Sequence, residues 1–484
     1  MPSTTNTAPA TNLPSTGLPI EAVLPALKAH LQQHDNALLE AEPGAGKTTL
    51  VPITLLDEPW LAGQKILVLE PRRLAAKAAA QRMADLLAEP LGVRVGYRIR
   101  HESKVSAQTR IEIVTEGILT RMLQSDPSLE GIGLVIFDEF HERNLHSDLA
   151  LALCLQGREL FRDTVPLKIL VMSATLDTQG LEELLNTTTL QCPGRSYPIE
   201  TRYQNLALKQ HQVVDHIIKN VCASVQQDTG SILVFLPGQK EIRQVEQALC
   251  HRLAAYPELA ILPLYGNLDF KQQQAVIRPS AERKIVLASA IAQTSLTIEG
   301  ISVVIDSGLS REARFDANTG TTRLHTRRAT QAESTQRSGR AGRLAAGIAY
   351  RWWSEDQHYR LEQQAKAEIR QVDLASLVIE LARWGINSPD ELNWLDVPPS
   401  AHWQQACDLL RQLGALEASG LLLTPLGESM AALPLEPRLA RIVFAGKQLN
   451  APLLANQLVT LLAEGDPLES RQTDIELRLT WLLG

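Results

Sequence analysis

No run of ~18 consecutive apolar residues occurs anywhere along the chain, which removes a membrane-spanning helix from the reading. The five cysteines, at 154, 192, 222, 250 and 407, are scattered, with no Cys-x-x-Cys and no histidine at ligand spacing. They read as reduced core thiols. Positive charge is not in excess either: 47 Lys and Arg against 54 Asp and Glu leave a formal net charge of −7. Without a global basic field, any hold on nucleic acid has to come from local geometry. Residues 1–17 contain neither a charge nor an apolar core stretch and are rich in Ser, Thr, Pro and Asn. They are neither signal peptide nor anchor, so the expectation is a cytoplasmic protein with a short disordered leader.

What the chain does have is material for large cores, with 44% hydrophobic and 21% charged residues over 484 positions. That length suggests about three domains. Strand-length apolar runs at 65–69, 111–114, 134–137 and 168–172 alternate with helix-like stretches, the pattern of a parallel α/β sheet. The Pro- and Gly-containing stretch Gln191-Cys192-Pro193-Gly194-Arg195-Ser196-Tyr197-Pro198 interrupts that pattern and marks a first boundary. Strand candidates resume at 232–235, 261–264, 284–287 and 302–305, predicting a second, similar sheet. Polar alternation around Asn318-Thr319-Gly320 gives a hairpin signal. Beyond residue 370 the periodicity turns helical, with Ala406, Leu409, Leu410 and Leu413 on one face and Leu421-Leu422-Leu423 as a strand candidate.

Three local patterns carry chemistry. In Ala41-Glu42-Pro43-Gly44-Ala45-Gly46-Lys47-Thr48-Thr49, glycines let successive backbone N–H groups turn inward on phosphate oxygens. Lys47 then reaches the terminal phosphates, Thr48 offers a hydroxyl to Mg²⁺, and the following helix points its positive end at the same charge. ATP is the implied fuel, and Ala41 stands where such a loop usually begins with Gly. In Leu134-Val135-Ile136-Phe137-Asp138-Glu139-Phe140-His141, a buried strand ends in two carboxylates. Asp138 can hold the metal shell while Glu139 polarises the attacking water. In Gln336-Arg337-Ser338-Gly339-Arg340-Ala341-Gly342-Arg343, helical spacing would put Arg340 and Arg343 on one face, able to neutralise charge on a transferring phosphoryl group. Taken singly, each pattern also has a plain structural reading: a strand-to-helix turn, an ordinary strand end and a solvated basic helix. Arginines at 311, 314, 323, 327, 328, 337, 340 and 343 outnumber Glu312, Asp316 and Glu333, which suggests a local basic lining.

Together with Glu70-Pro71-Arg72-Arg73, Thr115-Glu116-Gly117, Ser173-Ala174-Thr175, Phe235-Leu236-Pro237-Gly238-Gln239 and Thr294-Ser295-Leu296-Thr297-Ile298-Glu299-Gly300, these patterns occur in a fixed order from 41 to 343. In that order the chain resembles the DEAH-box group of superfamily 2 helicases, and most closely the bacterial HrpB type, because Phe140 replaces the usual Ala. The resemblance implies two tandem RecA-like parallel-sheet domains, at 18–195 and at 196–368 with a β-hairpin. A winged-helix module at 369–440 and the start of a truncated helical ratchet domain at 441–484 would follow.

It also implies roles. Gly44, Ala45, Gly46, Lys47, Thr48 and Thr49 would cradle ATP or another NTP, with Arg82 on the base and Glu299 on the ribose. Thr48 and Asp138 would hold Mg²⁺. Glu139 and Gln336 would handle the attacking water, while Lys47, Arg340 and Arg343 stabilise the γ-phosphoryl. His141, Ser173 and Thr175 would couple nucleotide state to domain closure. Arg72, Thr115, Gly117, Gly238, Ser289 and Thr297 would grip successive phosphates of single-stranded RNA without reading its sequence, and Arg100 and His101 would lie near the strand. Ser289-Ala290-Ile291-Ala292-Gln293 departs from the family's Thr-Asn-Ile-Ala-Glu, which puts RNA coupling rather than hydrolysis at risk. Two activities fit: an ATP-driven RNA helicase moving 3′ to 5′ and unwinding duplexes, or an RNA-stimulated ATPase that clamps RNA without unwinding it.

Overall fold

The computed structural model describes residues 15–174, 178–194, 197–204, 212–266, 268, 270–278, 280, 282–293, 298–316, 321–343, 345–464, 468, 472 and 474–482. The expectations for Thr175, Thr297 and the hairpin tip at 318–320 lie outside the described residues.

The strands Ile132–Phe137 and Lys168–Ser173 are buried at every position, as strands covered on both faces must be. Edge to edge, their sheet runs Glu102–Lys104, Val95–Ile99, Ile111–Val114, Lys65–Leu69, Ile132–Phe137, Lys168–Ser173, Asn36–Ala41 and Thr189–Cys192. Every pairing in it is parallel except the edge pair Val95–Ile99 with Glu102–Lys104. Leu39, Val51, Ile66, Ile113, Leu134 and Ile136 belong to one buried core with the flanking helices. Because Asn36–Ala41 and Ile132–Phe137 are parallel and separated only by Lys168–Ser173, their carboxyl ends open on the same edge of the sheet, the edge where α/β proteins build their sites.

The second sheet runs Leu259–Leu264, Arg283–Ala288, Ser231–Phe235, Ile301–Asp306, Gly347–Arg351 and Ile199–Tyr203, parallel throughout. Leu309–Asp316 and Thr321–Arg328 pair as a separate two-stranded ribbon. Both large sheets belong to one compact unit, 1–314 with 324–368, while 315–323 groups with 369–484 in a second.

Two expectations need correction. Residues 15–17, assigned to a disordered leader, fold onto Glu21: Ser15 Oγ donates to its carboxylate at 2.8 Å and Thr16 N–H at 2.6 Å. The strand at 421–423 is reduced to a single bridge between Leu416 and Leu423. Leu422 is 65% exposed, and Thr424 already caps the helix Pro425–Ala431 by accepting from the Gly427 N–H. No length is left in which a strand could propagate. The second unit is otherwise helical, with Ala375–Trp384, Ser400–Gln412, Pro437–Gln448, Pro452–Glu464 and Ile475–Leu482.

Candidate active site

The strand Asn36–Ala41 passes to the helix Lys47–Leu55 through a turn whose two glycines, Gly44 at φ 89° and Gly46 at φ 95°, occupy left-handed backbone. Gly46 is required twice over, since a Cβ there would lie 2.8 Å from Leu18 Cδ1. Leu18 and Ile20 buttress the loop from below, and the Ile20 N–H donates to the Ala45 carbonyl at 3.1 Å. Sequence reading missed this support; its trace was two apolar residues directly after a polar leader. Ala41, in the place of the usual Gly, is fully buried at the strand end.

Lys47 is 4% exposed, with Nζ 3.3 Å from Glu139 Oε1 and 4.0 Å from Asp138 Oδ1, yet without a directed hydrogen bond. Thr48 Oγ1 donates to Asp138 Oδ2 at 2.5 Å, and the Glu139 N–H donates to Asp138 Oδ1 at 2.8 Å. Glu139 itself adopts left-handed backbone at φ 51°, uncommon for a non-glycine residue, and this turns its carboxylate back toward Lys47. Burial pushes the Asp138 carboxyl up; Lys47 pulls it back and Glu139 adds to the rise. Burial would raise Glu139 as well, but Lys47, His141 and Arg340 outweigh it and hold that carboxylate well below its ordinary range. Of the two, Glu139 is thus the stronger acid.

A third carboxyl was not anticipated. Glu70, 1% exposed at the end of Lys65–Leu69, is driven well above its ordinary range by burial and by the charges of Asp138 and Glu139. His141 Nδ1 stands 3.5 Å from Glu139 Oε2 and 3.5 Å from the Ala174 N–H it accepts. Burial lowers its pKa, and the neighbouring Glu139 charge pulls it back up. His141, expected to couple with Ser173 and Thr175, is thereby bonded to the backbone of Ala174, beside the fully buried Ser173.

The arginine motif needs a correction. Its helix, Gln331–Ser338, is started by a Thr330–Glu333 capping box but ends before Arg340 and Arg343, which lie in the following turn rather than on a helical face. The turn nonetheless delivers both to Glu139, whose charge acts on each. Burial lowers Arg343 to about 10, still cationic at neutral pH, and its Nε lies 4.0 Å from where a Gly44 Cβ would stand. Arg340, 4% exposed, donates to the Gln293 carbonyl. Gln336 accepts from Gln293 Nε2 at 3.1 Å. Gln293, one of the departures from the family pattern, thus stands against both Gln336 and Arg340.

These groups fit a magnesium nucleotide. Lys47 offers a buried ammonium with no directed partner, and Thr48 and Asp138 converge a hydroxyl and a carboxylate on one point. Among the described residues no cluster of three or more His, Cys, Asp or Glu forms a metal cage. Magnesium suits such a site because it takes one or two protein oxygens and completes its shell from phosphates and water. Arg82 and Glu299 are both solvent-exposed.

Of the residues expected on RNA, Arg72 is the most engaged elsewhere: it donates to the Ile291 carbonyl at 2.7 Å and pairs with Glu142 at 3.1 Å. Thr115 is the N-cap of Glu116–Ser125, and Gly117, the second residue of that helix, is exposed with open space where a Cβ would stand. Gly238 precedes Gln239–Arg252 beneath the Arg311 guanidinium, and Ser289 precedes the short turn Ala290–Ala292. The basic stretch is partly neutralised from within. Arg337 pairs with Asp306 at 2.8 Å, Arg327 with Glu312 and Glu333, and Arg311 with Glu241 at 3.1 Å. Arg314, Arg323 and Arg328 are exposed, as are Arg100 and His101 in the turn after Val95–Ile99.

A phosphate loop at the end of one parallel sheet, facing two arginines supplied from beside another, defines a P-loop nucleoside triphosphatase with two RecA-like lobes. The chain belongs to the DEAD/DEAH box helicases: residues 21–184 match the DEAD/DEAH box helicase family and 211–345 the helicase conserved C-terminal domain. It is 47% identical to the ATP-dependent RNA helicase HrpB of Escherichia coli over 92% of this chain and 55% of that protein. To the mouse (Mus musculus) ATP-dependent RNA helicase DHX33 it is 35% identical, over 96% of this chain and 68% of that protein. The crystal structure of the Escherichia coli DEAH/RHA helicase HrpB superposes with a TM-score of 0.87 at 44% identity, across 96% of this chain and 58% of that one. The chain thus spans little more than half the length of the HrpB proteins it matches.

Proposed function

We propose that this chain is the motor of an ATP-dependent RNA helicase, coupling ATP hydrolysis to 3′-to-5′ movement along single-stranded RNA and to duplex unwinding in the cytoplasm. The observation that carries the reading is the convergence on Glu139: Lys47 from the phosphate loop at 3.3 Å, with the charges of Arg340 and Arg343 from the turn that precedes the second-sheet strand Gly347–Arg351.

In this reading Gly44, Ala45, Gly46 and Thr49 cradle the phosphates, and Lys47 holds the terminal pair. Thr48 and Asp138 hold Mg²⁺, which when bound draws charge from the phosphate oxygens. Glu139, kept ionised by its cationic neighbours, accepts hydrogen bonds from the attacking water and orients it. Arg340 and Arg343 neutralise the charge that accumulates in transfer. Arg82 and Glu299 meet base and ribose; a stacked base is read by its face, so other NTPs serve too. His141 and Ser173, with Thr175, carry nucleotide state between the lobes. Arg72, Thr115, Gly117, Gly238, Ser289 and Thr297 grip RNA phosphates. For Arg72 that means exchanging its present bonds to Ile291 and Glu142 for a phosphate.

Unwinding of a short RNA duplex, with a 3′ overhang, a 5′ overhang or blunt ends, tests the proposal. ATP-dependent unwinding of the 3′-tailed duplex alone is the expected result. RNA-stimulated hydrolysis with no unwinding of any substrate would replace it with a nucleotide-gated clamp.

A further inference from the structure

Gln293 has a fixed set of partners whose donor and acceptor roles leave no freedom. Arg337, 1% exposed, is held on all sides: it donates to Asp306 Oδ1 at 2.8 Å, to the Leu309 carbonyl at 3.2 Å and to Ser310 Oγ, and its guanidinium carbon lies 5.2 Å from the Phe235 ring centroid. Its Nε–H points to Gln293 Oε1 at 3.3 Å. A guanidinium has no acceptor, so the Gln293 side chain must turn its oxygen toward Arg337. Its nitrogen then faces Gln336, and at 3.1 Å the Gln336 oxygen must accept from it. The two amides are locked in series, and the Gln336 NH₂ is left as the end that faces away from Gln293. The Gln293 backbone carbonyl meanwhile holds the guanidinium of Arg340, one turn further along.

We propose that Gln293 is a positioning residue that fixes the polarity of Gln336, so that Gln336 presents its NH₂ to the nucleotide and donates to the γ-phosphate rather than accepting from the attacking water. The inference rests on the hydrolase reading and amends one expectation within it: water orientation falls to Glu139 alone. It also explains how a neutral residue can serve at 293. A glutamate there could accept from both Arg337 and Gln336, which would turn the Gln336 amide over and put its carbonyl outward. A donor suits the surroundings, because Lys47, Arg340 and Arg343 already make this a pocket for polyanionic phosphate.

The test compares Gln336→Ala in the parent chain and in a Gln293→Glu background. Binding of ADP and of adenylyl imidodiphosphate is measured by calorimetry and ATP turnover by phosphate release, with thermal melting as the check on folding. In the parent, Gln336→Ala should weaken the triphosphate analogue roughly tenfold or more, the worth of a hydrogen bond to a charged acceptor, and leave ADP binding unchanged. In the Gln293→Glu background the same substitution should leave the analogue's affinity intact and lower kcat instead. If Gln336→Ala weakens ADP and the analogue equally in the parent, or weakens the analogue equally in both backgrounds, Gln293 does not set the amide. The binding arm needs no turnover, so it decides the orientation even in a chain that hydrolyses nothing, an outcome that would sink the hydrolase reading alone.

Discussion

Single side chains decide the chemistry here through charge in a dry place. Glu139 is held ionised by Lys47, His141 and Arg340 against the push of burial. Glu139→Gln keeps the shape, removes the charge and should cut turnover by about 10²- to 10⁴-fold while nucleotide still binds. Lys47→Ala should weaken nucleotide binding itself, and equilibrium titration beside a turnover assay separates the two. Glu116 behaves in the opposite way. Burial, with Glu368 and Glu142 nearby, raises its carboxyl to about 8. The folded chain then binds a proton that the unfolded chain releases above its ordinary value of 4.5. The stability this contributes is complete below pH ~4.5 and is lost as pH rises toward ~8, with a slope of at most about 1.4 kcal/mol per pH unit. Glu116→Gln should flatten that part of a stability profile from urea melts at several pH values; an unchanged slope would remove Glu116 as its source.

At the scale of elements, close approach sets the limits. Helix Pro437–Gln448 meets Pro452–Glu464 at Gly446, where an added Cβ would lie 2.2 Å from Ala455 Cβ. Gly446→Val should destabilise the C-terminal unit by about 1–3 kcal/mol through overpacking. A lowered urea midpoint by circular dichroism, with nucleotide affinity unaltered, is the expected pattern. The arginine turn makes a second case. Arg343→Ala should lose about 10³- to 10⁵-fold in turnover if its guanidinium neutralises the transferring group. Arg72→Ala should weaken RNA binding with a much smaller loss of turnover at saturating RNA. Equal rescue of both variants by excess RNA would refute that division.

On the scale of the whole molecule, the candidate ATP site uses residues between 41 and 343, all within the first compact unit apart from the ribbon end at 315–323. The 484-residue chain should therefore show basal ATP hydrolysis by itself. With a net charge of −7 and much of the basic stretch paired internally, few cations are left for RNA phosphates. RNA affinity should accordingly fall only gently with salt. Titration of single-stranded RNA at several salt concentrations measures that slope, and a steep one would mean that more arginines leave their internal partners than this arrangement suggests.

Sequence by itself determined the parallel α/β class, the phosphate loop and the two strand-end carboxylates, because each depends on local rules: apolar runs of strand length, glycines where φ is positive, and a carboxylate at the end of a buried strand. It could not show that Arg340 and Arg343 leave the helix and still reach Glu139, since that depends on a turn placed by tertiary packing. Nor could it tell which arginines were already spent: Arg337 on Asp306 and Arg327 on Glu312 are pairings across 31 and 15 residues of chain. The raised carboxyl of Glu70 and the buttress of Leu18 and Ile20 under Gly46 were invisible for the same reason. Burial and long-range charge exist only once the sheets have closed, and they decide which of two adjacent carboxylates is the stronger acid and which way a glutamine faces.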